Sequence, residues 1–173
     1  MGSLRSEQWV KVERKKVFAF FSDPRNLPRI MPRELGARIE ELKLVTPPEL
    51  AGQLEAGPDP KHAAGTGSTI TFSFRPIPFL PIRERWVSEI TAYKLNEYFQ
   101  DKQQKGPMRS WQHTHGFHEE ARNGAVGTLI RDEVEYEIGF GPLGAIADKL
   151  WVNRAMARTF AHRQTVVEEM LGA

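Results

Sequence analysis

The stretch Trp111-Gln-His-Thr-His-Gly-Phe-His118 has the clearest capacity for chemistry in this sequence. Read as a strand, it places Trp111, His113, His115 and Phe117 on one face and Gln112, Thr114, Gly116 and His118 on the other. Two imidazoles between two large aromatic rings suit neither an ordinary core nor a wet surface. They suit an apolar wall that must address a polar group, as the inside of a small-molecule cavity does. A partner follows in Val126 to Ile138, where Arg131, Glu133, Glu135 and Glu137 alternate with Ile130, Asp132, Val134, Tyr136 and Ile138. The first set must be wet, so Asp132 is a carboxylate on the inner face.

Pairing Phe117 near Thr128 sets His113 opposite Asp132, and a slip of two residues sets His115 there. In either register the carboxylate can orient an imidazole that acts as acid or base, or that hydrogen-bonds a ligand oxygen. His113, His115 and Asp132 are therefore the catalytic candidates. The same contact also reads as a satisfied buried pair that fixes register, because a lone buried carboxylate is costly. Asp101 and Gln103 share a face of the preceding strand and can complete the polar end of a pocket. Alternatively, Gln103 bonds the turn at Gly106 and Asp101 pairs with Arg85 or Arg109. His113-x-His115 is also a spacing by which one strand presents two metal ligands, with Asp132 as a third. Short runs of this kind are common and spacing fixes no further ligand, so no metal and no cofactor is expected.

The aromatic residues Phe72, Trp86, Phe99, Trp111, Phe117 and Tyr136 read as cavity lining or core, with Met156 joining them from the C-terminal helix. No glycine loop suited to cradling phosphate is present, and no Ser or Thr has a nucleophile's setting, which disfavours hydrolase and nucleotide chemistry.

The 173 residues suffice for one domain, 1–173, with a substantial core. The formal net charge is +2 with acids and bases interleaved, so nucleic acid is not an expected partner. There is no cysteine, which removes disulfides and thiolate metal sites and fits a reducing cytoplasm. The N-terminal stretch lacks an apolar core of signal-peptide length, and no run approaches the ~18 apolar residues of a membrane span. A cytoplasmic protein without stable membrane insertion is expected.

Leu4 to Val12 predicts a first strand, and Glu13 to Phe21 a helix burying Val17, Phe20 and Phe21 with Phe18 at the edge of that face. Ser22-Asp23-Pro24 ends it and offers Asp23 as the cap of a second short helix burying Leu27, Ile30 and Met31. Arg38 to Val45 predicts strand two. Thr46 to Gly67 reads as a long loop with one helical turn around Glu49 to Leu54, either a lid or an insertion. Strands follow over Ser68–Arg75, Ile82–Tyr93, Leu95–Gln104, Trp111–His118 and Val126–Ile138. The connection Pro76 to Pro81 cannot continue an interior strand, and its Phe79 and Leu80 suggest a cavity rim or a transient protein or membrane contact. Gly139 to Gly144 turns the chain into a helix over Ala145 to Met170 with an apolar stripe through Met156, Phe160, Val167 and Met170.

This order predicts an α+β fold: a seven-stranded curved antiparallel sheet wrapped around a long C-terminal helix, with two short helices after the first strand. It resembles the helix-grip fold of the START-like superfamily, also called SRPBCC. Val17-Phe-Ala-Phe-Phe-Ser-Asp-Pro-Arg-Asn-Leu27 with Met31-Pro32 is similar to the first-helix signature of that family. Tyr98-Phe-Gln-Asp-Lys-Gln103, Gly106-Pro107 and Trp111 to Phe117 resemble a bacterial branch labelled polyketide cyclase/dehydrase-like. Asp132, Tyr136 and Phe140-Gly-Pro-Leu-Gly144 fit the same branch. The resemblance implies a cavity for a small hydrophobic or amphipathic molecule of lipid, quinone, polyketide or aromatic type, and it implies no metal. Some relatives cyclise or dehydrate polyketides while others only bind or carry, so fold analogy does not choose between them. Binding is the expected function. The alternatives are a cyclase or dehydratase working through His/Asp acid–base chemistry, and an interaction module using the apolar loop 77–82.

Overall fold

The computed structural model describes residues 1–50, 61–77, 80–138 and 152–172. Seven strands form one curved antiparallel sheet: β1 (Gly2–Val10), β2 (Arg38–Lys43), β3 (Thr69–Phe74), β4 (Glu84–Lys94), β5 (Tyr98–Lys105), β6 (Ser110–Arg122) and β7 (Ala125–Glu137). Their order is β1-β7-β6-β5-β4-β3-β2, so strands two to seven run as a meander and the first closes on the last. The imperfect alternation of β2 has a physical origin, a bulge between Ile39 and Glu41 against β3.

Helix α1 (Arg14–Ser22) follows β1. The Asp23 carboxylate accepts the Arg25 backbone N–H at 3.0 Å and caps a 3-10 turn, Pro24–Asn26, that runs on into α2 (Leu27–Ile30). The buried face of α1 differs from the expected one. Val17 and Phe18 are fully buried, whereas Phe20 and Phe21 are half-buried. Phe18 moves to the centre because Phe117, Tyr93 and Phe99 receive its ring edge-on, at 5.2, 5.3 and 6.1 Å between centroids.

Helix α3 (Asn153–Leu171) lies on the concave face and buries Phe160, Arg163 and Val167, spaced three and four residues apart. The expected start of this helix at residues 145–151, and the turn 139–144, lie outside the described residues. Gln164 ties α3 to β1: its carbonyl accepts from the Gln8 amide at 2.7 Å, and its own amide donates to Ser6 Oγ at 2.8 Å. Among the described residues no helix is long and apolar enough to cross a membrane.

In the segment expected to be a long loop, Pro48–Leu50 forms a 3-10 turn. The flanks of this segment are anchored: Pro47, Leu50, Ala63 and Ala64 are buried, and the Ala64 N–H donates to the Ser22 carbonyl at 2.9 Å. Residues 51–60 are outside the described set, as is Phe79. Ile77, Leu80 and Ile82 around Phe79 are exposed.

The interior is divided into two apolar clusters. One gathers Val10, Phe18, Ile90, Phe99, Phe117, Ile130 and Val167. The other gathers Val134, Tyr136 and Phe160, with Leu4, Trp111, Val152 and Met156 packed on it. A fully buried side chain of this kind contributes about 1.5–3 kcal/mol, so these clusters hold the helix on the sheet.

Candidate functional site

Between the two clusters β4, β5, β6, β7 and α3 each contribute a polar residue. On β7 Asp132 separates Ile130 from Val134, and on β6 His113 and His115 separate Trp111 from Phe117. On α3 Arg163 sits between Phe160 and Val167, and on β4 and β5 Ser88 and Asp101 lie next to Ile90 and Phe99. The result is a polar belt across a greasy interior. Strand periodicity and the helical three–four spacing place all these groups at the same level.

Register decides the contacts. Arg122 pairs with Ala125 across a two-residue turn, so His115 faces Asp132 directly and His113 faces Val134. Asp132 nevertheless bonds both rings. His113 Nε2 and His115 Nδ1 each lie 3.0 Å from Asp132 Oδ1, one straight across and one diagonal. Arg163 donates to the same oxygen at 2.9 Å and lies 3.3 Å from His115 Nδ1. Its guanidinium is held between the rings of Phe21 and Phe160, at 4.7 and 5.4 Å from their centroids.

Asp101 closes the other side. Ser88 Oγ donates to its Oδ1 at 2.6 Å, and its Oδ2 lies 3.5 Å from His115 Nε2 and 3.8 Å from His113 Nδ1. The two imidazoles lie 3.7 Å apart between centroids, tilted by 39° to each other, and Phe99 stacks against His115 at 4.3 Å. Two neighbouring imidazoles thus stand clamped between two carboxylates. The Asp101 side chain is 17% exposed against 7% for Asp132, so the Asp101 end is the more open one.

The electrostatics follow from burial and partners. Burial alone would raise Asp132, but the Arg163 guanidinium and the two imidazoles outweigh it and hold the carboxyl well below its usual range. Burial would also raise Asp101, yet the hydrogen bond from His115, the nearby His113 and the Ser88 hydroxyl leave it lowered. Burial, with His115 alongside, pushes His113 down to about 4 despite both carboxylates. His113 is therefore neutral near pH 7, and its Nε2–H donates to Asp132.

The aromatic residues predicted from sequence divide by position. Phe99, Phe117 and Tyr136 are buried. Phe72 stacks on Trp86 at 5.8 Å, and Trp86 meets Trp111 edge-on at 5.1 Å. Phe72, Trp111 and Met156 are only half-buried, so an aromatic wall on the inner face stays partly accessible beside the belt. Gln103 is set apart from the belt: its amide donates to the Met108 carbonyl at 2.6 Å and its oxygen accepts the Met108 N–H at 3.3 Å, clamping the turn around Gly106. A separate depression of about 360 Å³ lies on the outer face among Tyr98, Thr114, His118 and Arg131, away from this chemistry.

Sequence reasoning missed Arg163. Its signal was present, because it fills the position between Phe160 and Val167 in the apolar stripe of α3. A charge in that stripe is the helical counterpart of Asp132 on the inner face of β7.

No family model matches the chain, and no curated protein matches it by sequence. Solved structures do. The protein TTHA0849 from Thermus thermophilus superposes with a TM-score of 0.66 at 16% identity, over 98% of this chain and 97% of the other. A START superfamily protein from Mycobacterium smegmatis gives 0.61 at 12% identity over 98% and 96%. Truncated norcoclaurine synthase from Thalictrum flavum gives 0.58 at 14% over 96% and 92%. At such identities the likeness is one of fold: a curved antiparallel sheet gripping a long C-terminal helix.

Proposed function

We propose that this chain binds a small hydrophobic or amphipathic molecule between the sheet and α3, with the apolar body of the ligand on the aromatic wall and its polar group at the Asp101 end of the belt. The observation that carries this reading is the belt itself. Six polar or charged side chains from β4, β5, β6, β7 and α3 converge between two apolar clusters, where a merely structural core would place apolar ones. Half-buried Phe72, Trp111 and Met156 give the apolar surface a ligand would cover. Lipid, quinone, polyketide or aromatic character all suit such a wall.

A second reading, a cyclase or dehydratase of the polyketide cyclase-like type, is favoured by the paired His–Asp contacts at 3.0 Å. The fold is shared with a protein named as a synthase, so it accommodates catalysis. Titration with a panel of hydrophobic and amphipathic compounds, read by tryptophan fluorescence, tests the first reading. Saturable quenching lost in Trp111→Phe supports it. Saturable turnover of a bound compound that is lost in His115→Gln moves the assignment to the second.

A further inference from the structure

The sequence offers His113-x-His115 as two metal ligands and Asp132 as the obvious third. The structure rearranges that set. Asp132 already faces the guanidinium of Arg163 at 2.9 Å, which makes it a poor ligand for a second cation. Asp101, on the opposite side of the two rings, faces no guanidinium or ammonium among the described contacts. Its Oδ2 lies 3.8 Å from His113 Nδ1 and 3.5 Å from His115 Nε2, and one donor atom from each of the three residues falls within 4.8 Å of the others. Tetrahedral Zn²⁺ with bonds of about 2.0–2.2 Å holds its ligand atoms about 3.3–3.5 Å apart, so small side-chain shifts close the set.

We propose that Asp101, His113 and His115 form a divalent transition-metal site, of the two-imidazole, one-carboxylate type, at the open end of the polar belt. The surrounding groups are those such a site needs. The outward nitrogens of both rings, His113 Nε2 and His115 Nδ1, point at Asp132 Oδ1 at 3.0 Å, the carboxylate–histidine support that orients ligating imidazoles. His113, with its Nε2–H on Asp132, presents the Nδ1 lone pair toward Asp101, and the metal takes the place of the proton that His115 Nε2 shares with Asp101. Ser88 fixes Oδ1 of Asp101 at 2.6 Å, so Oδ2, which faces the two rings, is the ligating oxygen. Charge points the same way: two carboxylates face one guanidinium, so a cation between the rings and Asp101 offsets buried negative charge. Three protein ligands at the more exposed end leave a coordination position for water or a ligand oxygen. Imidazole and carboxylate without thiolate suit Zn²⁺, Co²⁺, Ni²⁺ or Fe²⁺ rather than Ca²⁺ or Mg²⁺.

The site shares the Asp101 end of the belt with the polar group of the organic ligand proposed above, but it does not depend on that ligand, and its test uses the ion alone. The full chain is stripped with chelator, its fold is checked by near-ultraviolet circular dichroism, and it is titrated with Co²⁺ and then Zn²⁺. The expected result is one equivalent of Co²⁺ with visible d–d bands of a low-coordinate N/O site, displaced by Zn²⁺. Asp101→Asn keeps the size of the side chain and an acceptor for Ser88. It should weaken Zn²⁺ binding by a hundredfold or more with the dichroism unchanged, and His115→Gln should do the same. Absence of any Co²⁺ spectrum at millimolar ion with folded protein overturns the proposal. So does Zn²⁺ affinity that is equal in the wild type and a folded Asp101→Asn.

Discussion

Arg163 of α3 reaches across the interior to Asp132 of β7 and donates to its Oδ1 at 2.9 Å, while that same oxygen lies 3.0 Å from both His113 Nε2 and His115 Nδ1. One carboxylate oxygen therefore joins helix to sheet and sets the pose of both imidazoles. A buried ion pair is weak evidence for stability in itself, but removing one partner strands the other charge. The consequences are measurable.

Arg163→Met keeps much of the stem that packs between Phe21 and Phe160 and deletes the charge. It is expected to lower the unfolding free energy by about 3–5 kcal/mol, because Asp132 is left buried without its cation. The double variant Arg163→Met with Asp132→Leu is expected to recover most of that loss. Urea unfolding of the three proteins checks it, and an Arg163→Met variant within about 1 kcal/mol of wild type would contradict the pairing.

Asp23 caps the 3-10 turn that leads into α2. Burial would raise its carboxyl, but side-chain and backbone hydrogen bonds from Arg25 bring it below the ordinary 3.8. The folded value is depressed, so the contribution is complete well above that value and is lost as pH falls through the folded pKa. Asp23→Ala is expected to cost about 1 kcal/mol at pH 7, with the gap to wild type closing below the unfolded value. Denaturant melts at neutral and acid pH measure both ends.

Tyr93 packs its ring on Phe18 at 5.3 Å, and its hydroxyl is buried without a hydrogen-bond partner among the described residues. Tyr93→Phe removes an unpaired polar atom and keeps the ring, so the melting temperature should stay level or rise. A drop equivalent to more than about 1 kcal/mol would mean that the hydroxyl has a partner in the folded protein.

Gly127 of β7 leaves room for Trp9. A methyl group there would collide with the Val10 carbonyl oxygen and come within 2.6 Å of the Trp9 ring. Gly127→Ala is expected to destabilise by about 1–3 kcal/mol through overpacking at the β1–β7 seam. Thermal melts check the loss, and a change in Trp9 fluorescence should accompany it.

The fold was legible because β7 alternates so regularly and because Asp23-Pro24 and the prolines of 76–81 punctuate the chain. The register of β6 on β7 was legible too, through a cue that outranks the pairing of Phe117 near Thr128. Asn123-Gly124 is a two-residue hairpin turn with φ of +50° and +76°, and such a turn pairs Arg122 with Ala125 and so His115 with Asp132. Arg163 was harder to place. A single arginine in a helical stripe normally signals a solvated edge, and only the carboxylate that faces it across the interior explains its burial. The distinction between Asp101 and Asp132 was not legible at all. Both sit on inner faces, and which one meets the guanidinium depends on where α3 crosses the sheet.

Native mass spectrometry of the purified full chain, followed by denaturing extraction, tests the central claim most directly. The expected result is a discrete mass above that of the chain, released on denaturation as a molecule with an apolar body and one polar end. An unloaded mass, together with no thermal shift and no tryptophan quenching across hydrophobic compounds, would contradict the binding function.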